Sequence, residues 1–137
     1  MKKITEYNTE IRVRYGETDQ MGFCYYGNYA QFLEVARVEA LREYGISYKE
    51  LEERGILLPV RTFSIKYISP AKYDDILEIK TLIINLQGSR IEFSYSIHSA
   101  GKLIATAETE LVFVDARSEK PIGIPDFFAS LITKKVE

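Results

Sequence analysis

The feature of this 137-residue chain that most constrains its fold is a change in the spacing of its apolar residues. Near the N-terminus, Ile11, Val13 and Tyr15 alternate with charged residues, which predicts a half-buried strand. From about residue 27 to residue 44 the apolar residues recur at spacings of three, four and eight, which predicts an amphipathic helix. Its apolar face consists of Tyr29, Phe32, Leu33, Ala36, Ala40 and Tyr44, and its charged residues, mostly outside that face, are Glu34, Arg37, Glu39 and Arg42.

A second, shorter helix is expected directly after the first. Gly45 suits the C-terminal cap of the long helix, because glycine adopts the left-handed conformation that ends many helices. The next segment, SYKE at residues 47–50, has the spacing of a capping box, in which a serine and a glutamate satisfy N–H groups at a helix start. Gly55 is expected to end this short helix.

The remainder of the chain has the alternation of strands. Four runs, at residues 63–67, 76–86, 91–97 and 103–114, are separated by short turn-like segments. Because the links are short, we expect these four strands to be antiparallel neighbours, with Ala105 and Ala107 leaving room for the long helix. One long helix against one antiparallel sheet is an α+β architecture. Its exposed edges and second face favour pairing with another copy of the chain.

Composition places the chain among ordinary globular proteins. Apolar residues make up 46% and charged residues 28% of the sequence, which fits one domain spanning residues 1–137. The net charge of −2 gives no electrostatic reason to expect nucleic acid or an anionic membrane as a partner. No stretch approaches the roughly 18 apolar residues of a membrane span, and no apolar run of a signal peptide follows the charged start. With a single cysteine, Cys24, the expected location is the cytoplasm.

Several kinds of site are excluded by residue counts. One histidine and one cysteine cannot form a His/Cys metal site, no carboxylates have metal-motif spacing, and phosphate-binding glycine motifs are absent, so neither a metal nor a cofactor is expected. His98 lies on the polar face of a predicted strand, where a solvated role is favoured over a catalytic triad. Cys24, between Phe23 and Tyr25, is expected to be a buried apolar residue rather than a nucleophile.

Asp19, in the segment TDQMG, allows two interpretations. The simpler one is a turn aspartate, a common role for aspartate near glycine. The alternative is a catalytic carboxylate held near the positive end of the long helix, where the N–H groups around Tyr26, Gly27 and Asn28 stabilise an oxyanion. In that case Asp19 acts as a nucleophile or as a general base toward water, and Gly27 allows close approach of the backbone.

The segment RYGETDQMGFCYYGNYAQFLEVAR resembles the active-site segment of the hotdog-fold acyl-CoA thioesterases of the 4-hydroxybenzoyl-CoA thioesterase and YbgC type. Two further segments, KYISPAKYDDILEIKT and ATAETELVFVD, resemble the same family, so the similarity runs from about residue 8 to residue 125. The resemblance implies a hotdog fold, in which a curved antiparallel sheet wraps a long central helix. It also implies hydrolysis of an acyl-CoA thioester to free acid and coenzyme A, without a metal.

The resemblance also implies roles for individual residues. Asp19 matches the catalytic carboxylate, and the backbone N–H of Tyr26 matches the group that polarises the thioester carbonyl. Substrate-binding positions are then expected at Gly27, Asn28, Tyr29, Ser89 and Arg90. Arg90 follows a turn near which the family contacts coenzyme A and is a suitable phosphate partner, although a solvated strand residue fits it equally well. The family's active site lies at a dimer interface, so a homodimer or homotetramer is expected.

One departure from the family affects the substrate. Many members have histidine where this chain has Tyr26, in a YHANY rather than a YYGNY sequence. The proposed oxyanion donor is a main-chain group, so tyrosine at this position does not exclude catalysis, but aromatic and aliphatic acyl groups both stay open. The cluster Phe23, Tyr25, Tyr26 and Tyr29 is compatible with an acyl pocket, with core packing and with an interface.

Three other functions remain open on the same fold. They are a thioesterase for acyl carrier protein, a hydratase, and a module that binds acyl-CoA without cleaving it. A hydratase is disfavoured because it usually needs a histidine beside an acid, and His98 is poorly placed for this.

Overall fold

A computed structural model describes residues 5–136 of the chain. The strands are β1 (Thr5–Arg12), β2 (Ile56–Leu57), β3 (Val60–Tyr67), β4 (Ile76–Gln87), β5 (Arg90–Ser99), β6 (Lys102–Val112) and β7 (Val114–Asp115). The helices are α1 (Tyr29–Glu43), α2 (Tyr48–Glu53) and α3 (Asp126–Val136), with 3₁₀ turns at Tyr15–Glu17 and Tyr26–Asn28. In this described range no helix is both long and apolar enough to cross a membrane.

Five strands form one antiparallel sheet in the order β1-β4-β5-β6-β3, and α1 packs on one face of it. All six residues of the predicted apolar helix face are buried. Ala105 and Ala107 are buried too, on the inward face of β6. Ser47 accepts a hydrogen bond from the N–H of Glu50, as the capping-box spacing predicts. The α+β architecture is therefore confirmed.

The predicted pairing of β3 with β4 is wrong. β3 instead pairs with β6, where Tyr67 lies opposite Ala105, and β1 takes the place beside β4. The segment between β3 and β4, residues 68–75, therefore passes three strand positions, about 14 Å at the usual spacing. Eight residues reach about 27 Å when extended, so this short link is long enough to cross the sheet.

Some element boundaries also differ from the sequence-based expectation. β1 ends at Arg12, and Tyr15 is exposed in a 3₁₀ turn instead of facing inward with Val13. Alternation alone cannot show where a strand stops, because Tyr15 fits the pattern without being in the strand. The small β2–β7 sheet and α3 were not predicted. Phe128 and Ile132 of α3 complete the core, and Phe128 packs edge-on against Phe113.

A buried arginine joins the helical layer to the sheet. Arg37, predicted for the polar face of α1, is 5% exposed. Its Nε donates to the hydroxyl of Tyr48 at 3.1 Å, and its Nη1 donates to the hydroxyl of Tyr95 at 3.2 Å. The Tyr95 hydroxyl in turn shares a 2.7 Å hydrogen bond with Thr109. Among the described residues no carboxylate pairs with Arg37, so these neutral hydroxyls compensate for its desolvation.

Removing the Tyr95 hydroxyl is expected to lower the free energy of unfolding by more than the loss of one ordinary hydrogen bond. Tyr95→Phe deletes one oxygen but leaves both the Arg37 guanidinium and the Thr109 hydroxyl short of a buried partner. We expect the free energy of unfolding to fall by about 2–3 kcal/mol in urea denaturation. Tyr48→Phe, at the half-buried end of the network, is the matched control and should cost about 1 kcal/mol. Equal costs for the two variants would argue against a buried, charge-dependent network.

Candidate active site

The loop that carries Asp19 is a tight hairpin. The N–H of Asp19 donates to the carbonyl of Phe23 at 2.8 Å, and the N–H of Gly22 donates to the carbonyl of Asp19 at 2.9 Å. Gly22 has φ +84°, a conformation that L-residues rarely adopt. An isolated β-bridge between Thr18 and Cys24 closes the hairpin below the turn. The backbone at Asp19 is therefore fixed on both sides.

The carboxylate of Asp19 is oriented by the same loop. Its Oδ1 accepts hydrogen bonds from the N–H of Met21 at 2.9 Å and the N–H of Phe23 at 3.2 Å. Within the described part of the chain, these are the hydrogen bonds of the Asp19 side chain, and none of them engages Oδ2. The turn interpretation and the functional interpretation are thus compatible, because one oxygen holds the turn while the other is left for a ligand.

The segment between β3 and β4 supports the Asp19 loop through backbone hydrogen bonds. The N–H of Cys24 donates to the carbonyl of Ala71 at 2.7 Å, and Phe23 forms a β-bridge with Lys72. Farther along, Val13 and Asp75 are joined by a 2.9 Å hydrogen bond. Residues that leave β3 therefore lie directly beside the Asp19 hairpin.

The start of α1 meets the hairpin from the other side. It begins with the 3₁₀ turn Tyr26–Asn28, in which the N–H groups of Tyr26 and Gly27 have no hydrogen-bond partner among the described residues. The hydroxyl of Tyr67 donates to the carbonyl of Tyr26 at 3.2 Å, which ties this turn to β3. A Cβ atom at Gly27 would lie 2.8 Å from the Tyr25 ring, so a side chain there would have to displace that ring.

These elements border a solvent-open cavity of about 300 Å³. It is lined by Asp19, Met21, Phe23, Cys24, Tyr26, Tyr29, Tyr67, Ile68, Ser69 and Pro70. The aromatic rings are mutually packed, with the Tyr29 and Tyr26 rings each edge-on to Tyr67. The cavity is thus mostly apolar, with one carboxylate and one helix start at its border.

Cys24 and Tyr29 form the buried side of this cavity. Burial raises the pKa of the Cys24 thiol to about 11, and burial likewise raises the pKa of the Tyr29 hydroxyl. Both groups are therefore neutral near pH 7. Cys24 is buried, as predicted, and its protonated thiol is unsuited to act as a nucleophile.

The structure brings together only some of the predicted site residues. Asp19, Tyr26 and Tyr29 line the cavity, whereas Gly27 and Asn28 lie at the helix start without lining it. Ser89 and Arg90 lie at the far end of the sheet in the same chain. Tyr67 pairs with Ala105 and Arg90 pairs with Val112, seven residues farther along β6, which is about 23 Å.

The sequence-based prediction missed part of the cavity wall. Met21 and residues 67–70 line it, although residues 67–70 belong to a segment already noted for its family resemblance. Only the unpredicted β3–β6 pairing places that segment beside Asp19. The sequence-based prediction also missed Glu17, which is 8% exposed.

Glu17 holds the loop through both its side chain and its backbone. Its carboxylate accepts from the N–H of Arg14 at 2.7 Å and from the Arg14 guanidinium at 2.9 Å. Burial opposes ionisation, but the hydrogen bonds and charge of Arg14 outweigh it, so the pKa of Glu17 lies below its usual value. The carbonyl of Glu17 accepts from the N–H of Tyr25 and from the side-chain amide of Asn28, both at 2.8 Å.

Comparison with known proteins covers nearly the whole chain. The profile of the thioesterase-like superfamily matches residues 13–132. YneP of Bacillus subtilis is 38% identical over 114 residues, which covers 82% of this chain and 83% of YneP. The acyl-CoA thioester hydrolase YbgC of Escherichia coli is 35% identical over 122 residues, with 88% of this chain and 91% of YbgC covered.

The fold has equally similar solved counterparts. A DHNA-CoA thioesterase from Staphylococcus aureus superposes with a TM-score of 0.89 at 34% sequence identity, covering 96% of this chain and 90% of that protein. A protein of Thermus thermophilus superposes with a TM-score of 0.88 at 31% identity, covering 93% and 97% of the two chains. The expected hotdog fold is confirmed.

The Glu17–Arg14 pair is expected to give a pH-dependent contribution to stability. A carboxyl whose pKa is lowered on folding stabilises the protein above its unfolded-state pKa and loses that contribution as the pH falls. Since the Arg14 side chain is 78% exposed and screened by solvent, Glu17→Gln should lower the free energy of unfolding by only about 0.5–1 kcal/mol near pH 7. The difference from the wild type should shrink below about pH 4 in urea denaturation.

Glu50→Gln provides the control for this measurement. Glu50 pairs with Arg54 at 3.3 Å with both side chains about half exposed, and its loss should change stability by about 0.5 kcal/mol or less. A Glu17→Gln effect that stayed constant from neutral to acid pH would show that ionisation of Glu17 is not its cause.

Proposed function

The chain belongs to the thioesterase-like superfamily, and on that basis we propose that it is an acyl-CoA thioesterase, which hydrolyses the thioester to a free acid and coenzyme A. The observation that carries this proposal is that the Asp19 carboxylate and the start of α1 border one apolar cavity. An acyl group requires an apolar cavity, while thioester hydrolysis requires an activated nucleophile and an oxyanion donor. Both requirements meet at this place in the fold.

The proposed reaction begins with the acyl carbonyl at the helix start. The N–H groups of Tyr26 and Gly27 stabilise the oxyanion that forms when the carbonyl carbon is attacked. As a general base, Asp19 takes a proton from water while the hydroxyl adds to that carbon; the carbon–sulfur bond then breaks, and the leaving thiolate takes the proton from Asp19. As a nucleophile, Asp19 attacks the carbonyl carbon itself; the carbon–sulfur bond breaks, the thiolate leaves, and water then hydrolyses the resulting mixed anhydride to the free acid and the Asp19 carboxylate.

The cavity's chemistry accounts for binding without a metal or cofactor in this proposal. Apart from Asp19, its lining is largely aromatic and aliphatic, and its buried thiol and phenol are neutral. Coenzyme A enters as part of the substrate. Tyr29 contributes apolar surface to the acyl group, and Gly27 and Asn28 shape the turn that holds the carbonyl.

Asp19→Asn is expected to remove activity without disturbing the fold. Asparagine keeps an oxygen that accepts from the N–H groups of Met21 and Phe23, but it cannot accept a proton from water or form an acyl intermediate. Thiol release from a panel of short, medium, long and aromatic acyl-CoAs should fall by about 100-fold or more. The matched control is Asp74→Asn, an exposed aspartate paired with Arg12 that does not line the cavity, which should keep wild-type rates.

The same panel distinguishes the remaining functions. Acyl-CoA binding without thiol release in the wild type would support a binding module instead of an enzyme. Release only from acyl groups carried on a carrier protein would identify a protein-bound substrate. Equal rates for the wild type and Asp19→Asn would remove Asp19 from the mechanism.

We further propose that the enzyme is a homodimer or a homotetramer in which β3 pairs with its counterpart. β3 is an edge strand with none of its eight residues buried, and an edge strand of this kind is a template for further pairing. Its exposed apolar residues continue toward the cavity as a strip consisting of Val60, Phe63, Tyr67 and Ile68, each between 42% and 47% exposed. Monomeric proteins seldom leave such a strip uncovered.

This pairing would also account for the distant Arg90. In a two-fold antiparallel β3 pair, the Val60 end of one strand lies beside the Tyr67 end of the other. Arg90 lies at the Val60 end of the sheet, so the partner subunit's Arg90 and Ser89 would approach the cavity that their own chain does not reach. The half-exposed Arg90 guanidinium, 3.5 Å from Glu110, has donors left for a coenzyme A phosphate.

The native mass tests this assembly. We expect two or four times 15.8 kDa in light scattering. Phe63→Lys, which places a charge in the exposed strip, should shift the protein toward monomer and lower thiol release together. Ile76→Lys changes an equally exposed apolar residue, 39% exposed at the start of β4, and should do neither. A wild-type monomer with full activity would contradict the proposed dimer.

A further inference from the structure

We propose that Asn28 is a positioning residue for the reaction, because its side chain fixes the oxyanion donors relative to Asp19. This inference rests on the proposed thioesterase function. Its basis is a set of hydrogen bonds that converge on the carbonyl of Glu17, two residues before Asp19. Asn28 does not line the cavity, so it acts through other groups and not on the substrate.

The two hydrogen bonds to the Glu17 carbonyl lie on either side of Tyr26 and Gly27, which we call the donor dipeptide because their N–H groups are the proposed oxyanion donors. Tyr25 donates its backbone N–H to Glu17 at 2.8 Å, and Asn28 donates its side-chain Nδ2 to the same oxygen, also at 2.8 Å. Tyr26 and Gly27, whose N–H groups have no hydrogen-bond partner among the described residues, lie between these two bonds. A third bond, from the N–H of Asn28 to the carbonyl of Tyr25 at 3.0 Å, closes the turn. The dipeptide is thereby held at both ends to the 3₁₀ turn that leads into Asp19.

Asn28 occupies the N-cap position of α1, but its side chain does not cap the helix. Asparagine just before a helix usually accepts a hydrogen bond from the helix with its side-chain oxygen. At the start of α1 no such side-chain capping bond is made, and the amide faces backward to the loop. Because the Glu17 carbonyl can only accept, the atom facing it must be the NH₂ group. The helix therefore forgoes a stabilising cap, and the amide links the two parts of the site.

The link matters because the two parts come from separate segments. Asp19 is fixed within its hairpin by its own bonds to Met21 and Phe23, whereas the donor dipeptide moves with the start of α1. Without the Asn28 amide, the Tyr25 anchor remains, and the C-terminal side of the dipeptide can shift. Misplacement of about 1 Å at a reacting group is enough to reduce a rate about 100-fold.

Two variants separate positioning from helix stability. Asn28→Asp retains the size of the residue and places a negative charge at a helix start, where the helix dipole offsets part of the stability lost with the hydrogen bond. It removes the NH₂ donor, however, and so breaks the bond to Glu17. Asn28→Ala removes the donor without adding a charge near the oxyanion. The control is Gln31→Ala, an exposed amide one turn farther along α1 that also borders the polar surface beside Asn28.

We expect kcat for acyl-CoA hydrolysis to fall about 10- to 100-fold in both Asn28 variants, with KM changed less than about threefold. Gln31→Ala should match the wild type. Thermal unfolding is measured in parallel, so that kcat is referred to the folded fraction of each variant. An active wild type whose Asn28 variants both keep wild-type kcat, or lose activity only in proportion to unfolded protein, overturns the inference. A wild type that releases no thiol from any acyl-CoA would instead refute the proposed function.

Discussion

The crossing of residues 68–75 over the end of the sheet is the constraint on which the site depends. Because β3 pairs with β6 and not with β4, this segment has to traverse three strand positions before β4 begins. In doing so it presents backbone groups to which the Asp19 loop binds, through Cys24 to Ala71 and through Val13 to Asp75. The loop thus gains a rigid support outside any regular strand. The same segment, at its Tyr67 end, supplies the wall of the cavity opposite the helix.

The polar groups of this protein are placed to hold geometry as much as to react. Inside the core, Arg37 connects α2 and the sheet through two tyrosine hydroxyls and has no carboxylate partner among the described residues. At the site, the Glu17 carboxylate accepts a hydrogen bond from Arg14, and its carbonyl accepts one from Asn28 at the start of α1. The Arg37 network reaches Tyr95, 58 residues away, whereas Glu17 binds Arg14, three residues before it, and Asn28, 11 residues after it. Such networks specify one packing arrangement because an unsatisfied partner is costly when buried.

In the proposed mechanism a single chain supplies only part of the site. Asp19 and the start of α1, the proposed acid and oxyanion donors, border one cavity, but Arg90, the proposed phosphate partner, lies about 23 Å away along β6. The edge strand β3 is exposed on the side that a second copy would cover, and its apolar strip leads to the cavity. Assembly and substrate binding are therefore linked in this proposal through one strand.

The sequence alone determined the main elements and the candidate chemistry. The three-, four- and eight-residue spacing placed α1 and its buried face correctly, since helical periodicity is a local property of the chain. The motif around Asp19 and Tyr26 located the candidate acid and the helix start, because both lie within one short segment. Tertiary structure decided the rest. Whether β3 pairs with β4 or β6, whether Arg37 is buried, and whether Asn28 caps its helix or binds Glu17 all depend on contacts between distant residues, and neither local spacing nor residue type encodes them.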